Sequence, residues 1–154
     1  MALTAMSLPQ WAQAWKKDEI RLEADALLAA LVNAIIPETD TPGAKTVGAH
    51  LFIQRMVKDC FESKDAEAFQ QGLLSIEGHS LGLFQKPFQD LSMEQQVKLL
   101  KNLSARGSAE DKTMVQILKR MSIQAYTNSE YFLTKHRNYT IAPGYYHGCV
   151  PVKA

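Results

Sequence analysis

The chain has 154 residues, of which 46% are hydrophobic and 21% charged, proportions that exclude an intrinsically disordered protein and predict one domain with its own core. Seventeen basic residues against sixteen acidic ones leave a formal charge of +1, which excludes the strongly basic character of most nucleic-acid-binding proteins. No run of about 18 or more apolar residues occurs, so the sequence predicts no transmembrane helix.

Residues 1–17 have two interpretations. A mildly apolar stretch ends in Ala-Gln-Ala at positions 12–14, a small-residue pattern that is typical of signal-peptidase sites. In the first interpretation this segment is therefore the remnant of a secretory leader. In the second it is a short helix that docks on the body through Leu8 and Trp11. Residues 18–154 are predicted to form the helical domain.

The body is predicted to be all-α, because no period-two alternation lasts long enough to make a strand. A first helix begins at Asp18 and Glu19 and ends before Pro37, which cannot continue a helix. A second helix is predicted over residues 46–61 and a third over residues 65–81. Apolar stripes at helical spacing predict the buried positions of these helices. They are Leu27, Leu28, Leu31 and Ile35; Ile53, Met56, Val57 and Cys60; and Phe69, Leu73, Ile76 and Ser80.

A tight turn is predicted between the first two helices, at Asp40-Thr41-Pro42-Gly43. Pro42 fixes its own φ, and Gly43 is free to adopt the positive φ that a type II turn requires. Asp40 can accept hydrogen bonds from nearby backbone N–H groups in such a turn.

Two further helices carry clear start signals. Ser92 with Gln95 is a capping-box pattern, and Gly107 is the predicted end of this fourth helix. Ser108 begins the fifth helix, and the acidic pair at 110–111 is interpreted as part of its cap rather than as an acid/base pair. The predicted buried positions are Val97, Leu99, Leu100, Leu103, Met114, Leu118, Met121 and Ala125.

After Asn128 the regular pattern stops, and residues 129–154 are predicted to form a long irregular tail. The predicted fold is thus a single compact all-α domain of about five helices with this tail packed on it. The tail is rich in aromatic residues, which either cover the helical core or form a surface that binds a partner.

The sequence carries no motif for a catalytic centre or a bound cofactor. It has neither a Gly-rich phosphate loop nor a Gly-x-Ser-x-Gly elbow, so we predict no NAD, FAD or nucleotide site in this chain. The four histidines are scattered and are interpreted as surface residues. His147 and Cys149, with Cys60, leave a metal site open, although their spacing matches no standard zinc pattern.

The pairing of the two cysteines can be interpreted in two ways. If the protein is exported, Cys60 and Cys149 can form a disulfide that pins the tail to the body. Otherwise both are unpaired thiols, and Cys60 fills part of the core.

Three ordered signatures, at residues 37–44, 126–130 and 143–151, resemble one known family. This is the small subunit, subunit 3, of the membrane-bound gluconate 2-dehydrogenase family, and the resemblance covers roughly residues 35–151. The residues that we single out as candidate motif or partner contacts are Asp40, Thr41, Pro42, Gly43, Tyr126, Ser129, Glu130, Tyr145 and Tyr146.

The resemblance implies a non-catalytic accessory subunit of an exported dehydrogenase complex. Its partner would be an FAD-containing flavoprotein of the glucose–methanol–choline type, and in many such complexes a cytochrome c subunit with haem c receives the electrons. In that arrangement the small subunit carries a twin-arginine leader and escorts the folded flavoprotein into the periplasm. The complex is then peripheral to the membrane.

Two alternatives stay open on the sequence alone. The first is a stand-alone helical domain that binds a metal or a small ligand through His147 and Cys149. The second is a free-standing structural domain whose conspicuous turns serve folding alone.

Overall fold

A computed structural model describes the backbone of residues 17–142 and 144, and the side chains from residue 25 onward within these ranges. Within this part, the chain forms six α-helices and one short 3₁₀ helix, and it contains no strand. The elements are α1 (Lys17–Ile35), α2 (Ala49–Cys60), α3 (Ser63–Phe84), the 3₁₀ helix (Phe88–Asp90), α4 (Met93–Arg106), α5 (Ala109–Thr127) and α6 (Glu130–His136). The predicted all-α class is therefore confirmed over the described residues.

α5 lies at the centre of the fold and packs against all five other α-helices. Each of the first five helices contributes a side chain with almost no exposure to this core. These side chains are Leu31, Ile53, Ile76, Leu99 and Leu118. Burial of one such side chain stabilises a fold by about 1.5–3 kcal/mol, so the five together fix how the helices pack.

The predicted stripes of α3 and α5 are buried throughout. Their members are Phe69, Leu73, Ile76, Ser80, Met114, Leu118, Met121 and Ala125. On α2 the burial instead declines along the stripe, from Ile53 at 0% exposure through the half-buried Met56 and Val57 to the exposed Cys60. The expectation that Cys60 fills the core is therefore wrong, because its side chain is exposed and its Sγ lies 4.0 Å from Met56 Sδ of the same helix.

The two predicted start signals are confirmed. Ser92 accepts a hydrogen bond from the backbone N–H of Gln95, whose side chain in turn accepts one from the N–H of Ser92. Ser108 and Asp111 make the same reciprocal pair at the start of α5. Gly107 forms the C-terminal cap of α4 through its N–H to the carbonyl of Leu103.

α3 is longer than predicted. It begins at Ser63 and continues through Gly78 and Gly82 to Phe84. It ends where Gln85 adopts a left-handed backbone with φ 55° and donates its N–H to the carbonyl of Leu81. The free energy gained by burying the inward stripe of α3 is larger than the cost of placing two glycines in the helix.

The prediction of an irregular chain after Asn128 is wrong over Glu130–His136, which forms α6, and is confirmed over residues 137–142. Ser129 caps this helix by accepting a hydrogen bond from the N–H of Phe132 at 3.3 Å. Lys135 and His136 lie in its last turn, where positive charge suits the helix dipole. Over the described residues, none of the helices combines the length and the apolar character that a bilayer span needs.

Candidate functional site

The first signature forms a closed loop between α1 and α2. The N–H of Ala44 donates to the carbonyl of Ile36 at 2.9 Å and so joins the two ends of the loop. The carbonyl of Ala44 then accepts from the N–H of Ala49, the first residue of α2, also at 2.9 Å. Ala44 is fully buried, so the loop is anchored in the core and fixes the start of α2. We call residues 36–44 the motif loop.

Gly43 is needed in the motif loop for space rather than for a positive φ. Positive φ occurs nearby at Gly48, with φ 75°, and not at Gly43, so the predicted type II geometry is wrong. A Cβ on Gly43 would lie 2.7 Å from the backbone nitrogen of Glu38 and 2.9 Å from the carbonyl carbon of Pro37. The two arms of the loop touch backbone to backbone at this point, and a side chain has no room.

Asp40 and Thr41 form the exposed tip of the motif loop. The tip is held by the N–H of Thr39, which donates to the carbonyl of Thr41 at 3.1 Å. Thr46 supports one arm by donating its hydroxyl to Glu38 Oε2 at 3.0 Å. The loop therefore presents Asp40 and Thr41 to solvent on a fixed backbone.

The second signature meets the first. The hydroxyl of Tyr126, near the end of α5, donates a hydrogen bond to the carbonyl of Pro42 at 3.0 Å. The hydroxyl of Ser129 donates to the carbonyl of Tyr126 at 2.6 Å, and the ring of Phe132 packs on the ring of Tyr126 with centroids 6.0 Å apart. The structure thus brings Pro42, Tyr126 and Ser129 together, as members of one packed corner.

The other predicted contact residues divide into two groups. Glu130 is exposed in the first turn of α6, next to this corner. Tyr145, Tyr146, His147 and Cys149 lie outside the described residues, so the third signature, the metal site and the Cys60–Cys149 disulfide stay predictions.

Replacing Tyr126 with phenylalanine is expected to lower the free energy of unfolding by about 1 kcal/mol. The change removes the hydroxyl that bonds Pro42 and leaves that part-buried carbonyl without its partner, while the ring keeps its packing. Urea unfolding followed by circular dichroism measures the difference. Tyr139→Phe is the control, because Tyr139 is 53% exposed, and equal effects of the two changes would contradict the assigned role.

A cleft opens beside the motif loop, between α1, the start of α2, the 3₁₀ helix and α4. Its volume is about 540 Å³, and its lining residues are Asp25, Ala26, Ala29, Ala30, Asn33, Lys45, His50, Gln89 and Gln96. His50 is half-buried there rather than on the open surface, which corrects its interpretation as a surface residue. Burial lowers the pKa of His50 below its ordinary value, as does Lys45, and Asp25 opposes the shift.

A comparison with protein-family models matches residues 23–144 to the family described as gluconate 2-dehydrogenase subunit 3. The chain belongs to this family. The match includes the motif loop and the second signature and ends at the beginning of the third. No curated protein and no solved structure matches the chain. Membership of the gluconate 2-dehydrogenase subunit 3 family implies that the chain is a subunit of that dehydrogenase complex.

In this family member, the outer side of α3 carries no charged side chain over residues 68–85, although the first turns of the helix do. Residues 68–85 contain two ionisable side chains, Glu77 and His79, and both are engaged within the fold. Glu77 Oε2 accepts a hydrogen bond from the N–H of Phe88 at 3.1 Å. His79 Nε2 lies 3.4 Å from Asp111 Oδ2. Neither side chain therefore places a charged group on the opposite side of the helix.

That opposite side is formed by Leu74, Gly78, Leu81 and Gly82, which we call the uncharged face of α3. Leu74 is 63% exposed and Leu81 is 47% exposed, and a Cβ on either glycine would meet no atom of the described residues within 4 Å. A helix that is apolar on both sides is normally covered on both sides, whereas a solvated helix face usually carries charged residues. Helical periodicity in the sequence predicted only the inward stripe of α3 and missed the uncharged face. The scarcity of charged residues in residues 68–85 is the sequence signal that could have indicated it.

Proposed function

We propose that this chain is the non-catalytic small subunit of an exported, FAD-dependent sugar or alcohol dehydrogenase complex. Its task is to bind, stabilise and escort the flavoprotein catalytic subunit to the periplasm. FAD belongs to that partner, of the glucose–methanol–choline type, and haem c to a cytochrome subunit where the complex has one. Family membership supports the proposal at the level of a dehydrogenase subunit.

The observation that carries the proposal further is the uncharged face of α3. A glycine inside a helix costs about 1 kcal/mol relative to alanine, and the part of the chain that the structure describes gives Gly78 and Gly82 no reason to lack a Cβ. Close approach of another backbone is such a reason. The flanking leucines supply the apolar contacts that would hold a partner there. We assign this face to the flavoprotein because membership makes the chain part of a multi-subunit dehydrogenase.

The test is co-expression with an FAD-dependent dehydrogenase subunit of the glucose–methanol–choline type, followed by affinity purification and a dye-linked dehydrogenase assay on periplasmic extract. Replacing both Leu74 and Leu81 with glutamate is expected to reduce co-purified flavoprotein about tenfold or more, as the loss of an interface hot spot of about 2 kcal/mol would. Periplasmic dehydrogenase activity is expected to fall in parallel.

Ile123→Glu is the matched control, because Ile123 is an equally exposed apolar residue, at 54%, on α5. It is expected to leave co-purification unchanged. Equal recovery of soluble, active flavoprotein with and without this chain would overturn the proposed function. Unchanged recovery with the double glutamate variant would instead remove the uncharged face of α3 from the interface.

A further inference from the structure

We propose that the cleft between α1, α2 and α4 binds a neutral polyhydroxylated small molecule, of the class of sugars and sugar alcohols, through Asp25, His50 and Gln96. This site lies on the chain itself and does not depend on a flavoprotein partner. The inference is therefore separate from the proposed function.

The size and floor of the cleft suit a small ligand. Its volume of about 540 Å³ lies within the range of about 300–1,000 Å³ that is common for small-molecule sites. Ala26, Ala29 and Ala30 of α1 form an apolar floor without bulky side chains. Such a floor can accommodate the C–H side of a sugar while hydroxyl groups turn toward the polar walls.

Two polar atoms at the cleft have no hydrogen-bond partner among the described residues. They are Asp25 Oδ1 and His50 Nδ1, and both atoms are buried. Leaving a buried polar atom without a partner costs about 1–3 kcal/mol, so a ligand that bonds these two atoms gains affinity from them. The terminal torsion of an aspartate is broad and roughly two-fold, so the carboxylate of Asp25 can rotate to meet a ligand in the cleft. Ligand hydroxyl groups can then donate to Asp25 and bond His50.

The third polar group is held in place. Gln96 is only 5% exposed, and its Nε2 donates to the carbonyl of Phe88 at 3.0 Å. This bond fixes the amide of Gln96 at the cleft wall before any ligand arrives. A side chain that is already fixed, as the amide of Gln96 is, loses less conformational entropy when a ligand binds.

The balance of charge selects a neutral ligand. Asp25 and Lys45 carry opposite charges, and the lowered pKa of His50 keeps its imidazole neutral at pH 7. The remaining polar side chains, Asn33, Gln89 and Gln96, are amides that both donate and accept hydrogen bonds. A hydroxyl group also donates and accepts, so several hydroxyls match this wall. A ligand with a single charge would be attracted by one of Asp25 and Lys45 and repelled by the other, so the pair gives it little net gain.

The test is an NMR titration of the full isolated chain with glucitol at pH 7. We expect saturable shifts of the His50 ring protons and of the backbone amides at positions 26–30. Asp25→Asn is expected to weaken binding about tenfold, as loss of one charge-assisted hydrogen bond would. Ala26→Phe fills the cleft and is expected to abolish the shifts. Ala68→Phe, at an exposed alanine of α3, is the matched control and is expected to preserve them.

Three results would overturn the inference. One is the absence of saturable shifts with glucitol. Another is persistence of the shifts in the Ala26→Phe variant, which would place binding elsewhere. The last is saturation by charged probes alone, namely gluconate, arginine or glycine, which would identify a site for ions or zwitterions. Because the titration uses the isolated chain, none of these results bears on flavoprotein binding, and failure of co-purification leaves the titration unaffected.

Discussion

Replacing Gly43 with alanine is expected to lower the free energy of unfolding by about 3 kcal/mol, the upper part of the usual range for overpacking. The new Cβ would lie 2.7 Å from the backbone nitrogen of Glu38 and 3.0 Å from the carbonyl oxygen of Ile36. Backbone atoms cannot turn aside as the end of a flexible side chain can. The motif loop must therefore open, which strains the hydrogen bond from Ala44 to Ile36 that closes it.

The matched control for this substitution is Gly78→Ala. A Cβ on Gly78 meets no atom within 4 Å in the described residues, and alanine favours the helix. This change is expected to raise the free energy of unfolding by about 0.5–1 kcal/mol. Urea unfolding of the two variants under one set of conditions compares them directly. If Gly43→Ala were as stable as the unchanged protein, the close backbone approach in the motif loop would be wrong.

Replacing Asp111 with alanine is expected to cost about 3 kcal/mol, about 1 kcal/mol of it from the lost helix cap. Asp111 is only 7% exposed and accepts hydrogen bonds from the hydroxyls of Ser75 and Ser108, each at 2.9 Å. It also accepts the backbone N–H of Ser108 at 3.1 Å, and His79 Nε2 lies 3.4 Å from it. The carboxylate thus caps α5 and ties it to α3, and alanine leaves these donors without an acceptor.

The same group makes the stability depend on pH. Burial alone would raise the pKa of Asp111, but hydrogen bonds from Ser75 and Ser108, with His79 nearby, hold that pKa below its ordinary value of 3.8. The unfolded chain therefore binds more protons than the folded chain in this range. The contribution of Asp111 is fully present above pH 3.8 and is lost as the pH falls through the folded-state pKa.

Acid titration of the unfolding free energy measures this dependence. The Asp111→Ala variant is expected to lose less stability on acidification than the unchanged protein does. Glu110→Ala is the control, because Glu110 lies in the same first turn but is exposed, and its cost is expected to stay near 0.5 kcal/mol. An acid dependence that is the same in both variants would exclude Asp111 as its source.

The sequence was sufficient for the helix caps and the inward stripes of α3 and α5, where the deciding interaction is local. Ser92 and Ser108 meet their capping partners three residues along the chain, so their patterns can be recognised without a fold. The inward stripes of α3 and α5 depend on helical period alone. α6 was missed although Ser129, Glu130 and Lys135 are suitable start and end signals. A helix of seven residues is marginal by itself and forms here against the corner at Tyr126.

Features that join distant segments could not be predicted in this way. Ser75 and Asp111 are 36 positions apart, and nothing near Asp111 in the sequence indicates that its cap also ties α5 to α3. The role of Gly43 depends on the other arm of the motif loop. The cleft combines Asp25 of α1 with His50 of α2 and Gln96 of α4, three helices whose arrangement periodicity does not specify.

The hydrogen bond from Tyr126 to Pro42 joins residues 84 positions apart. Bringing such distant points together costs chain entropy, so this contact forms late, once the intervening helices have assembled. Pulse-labelling hydrogen exchange at Ala44 would show whether the motif loop gains protection after α5 does; earlier protection would contradict this order. A partner that recognises the finished loop would therefore bind folded chains and not partly folded ones. Incompletely folded copies would be excluded from the complex.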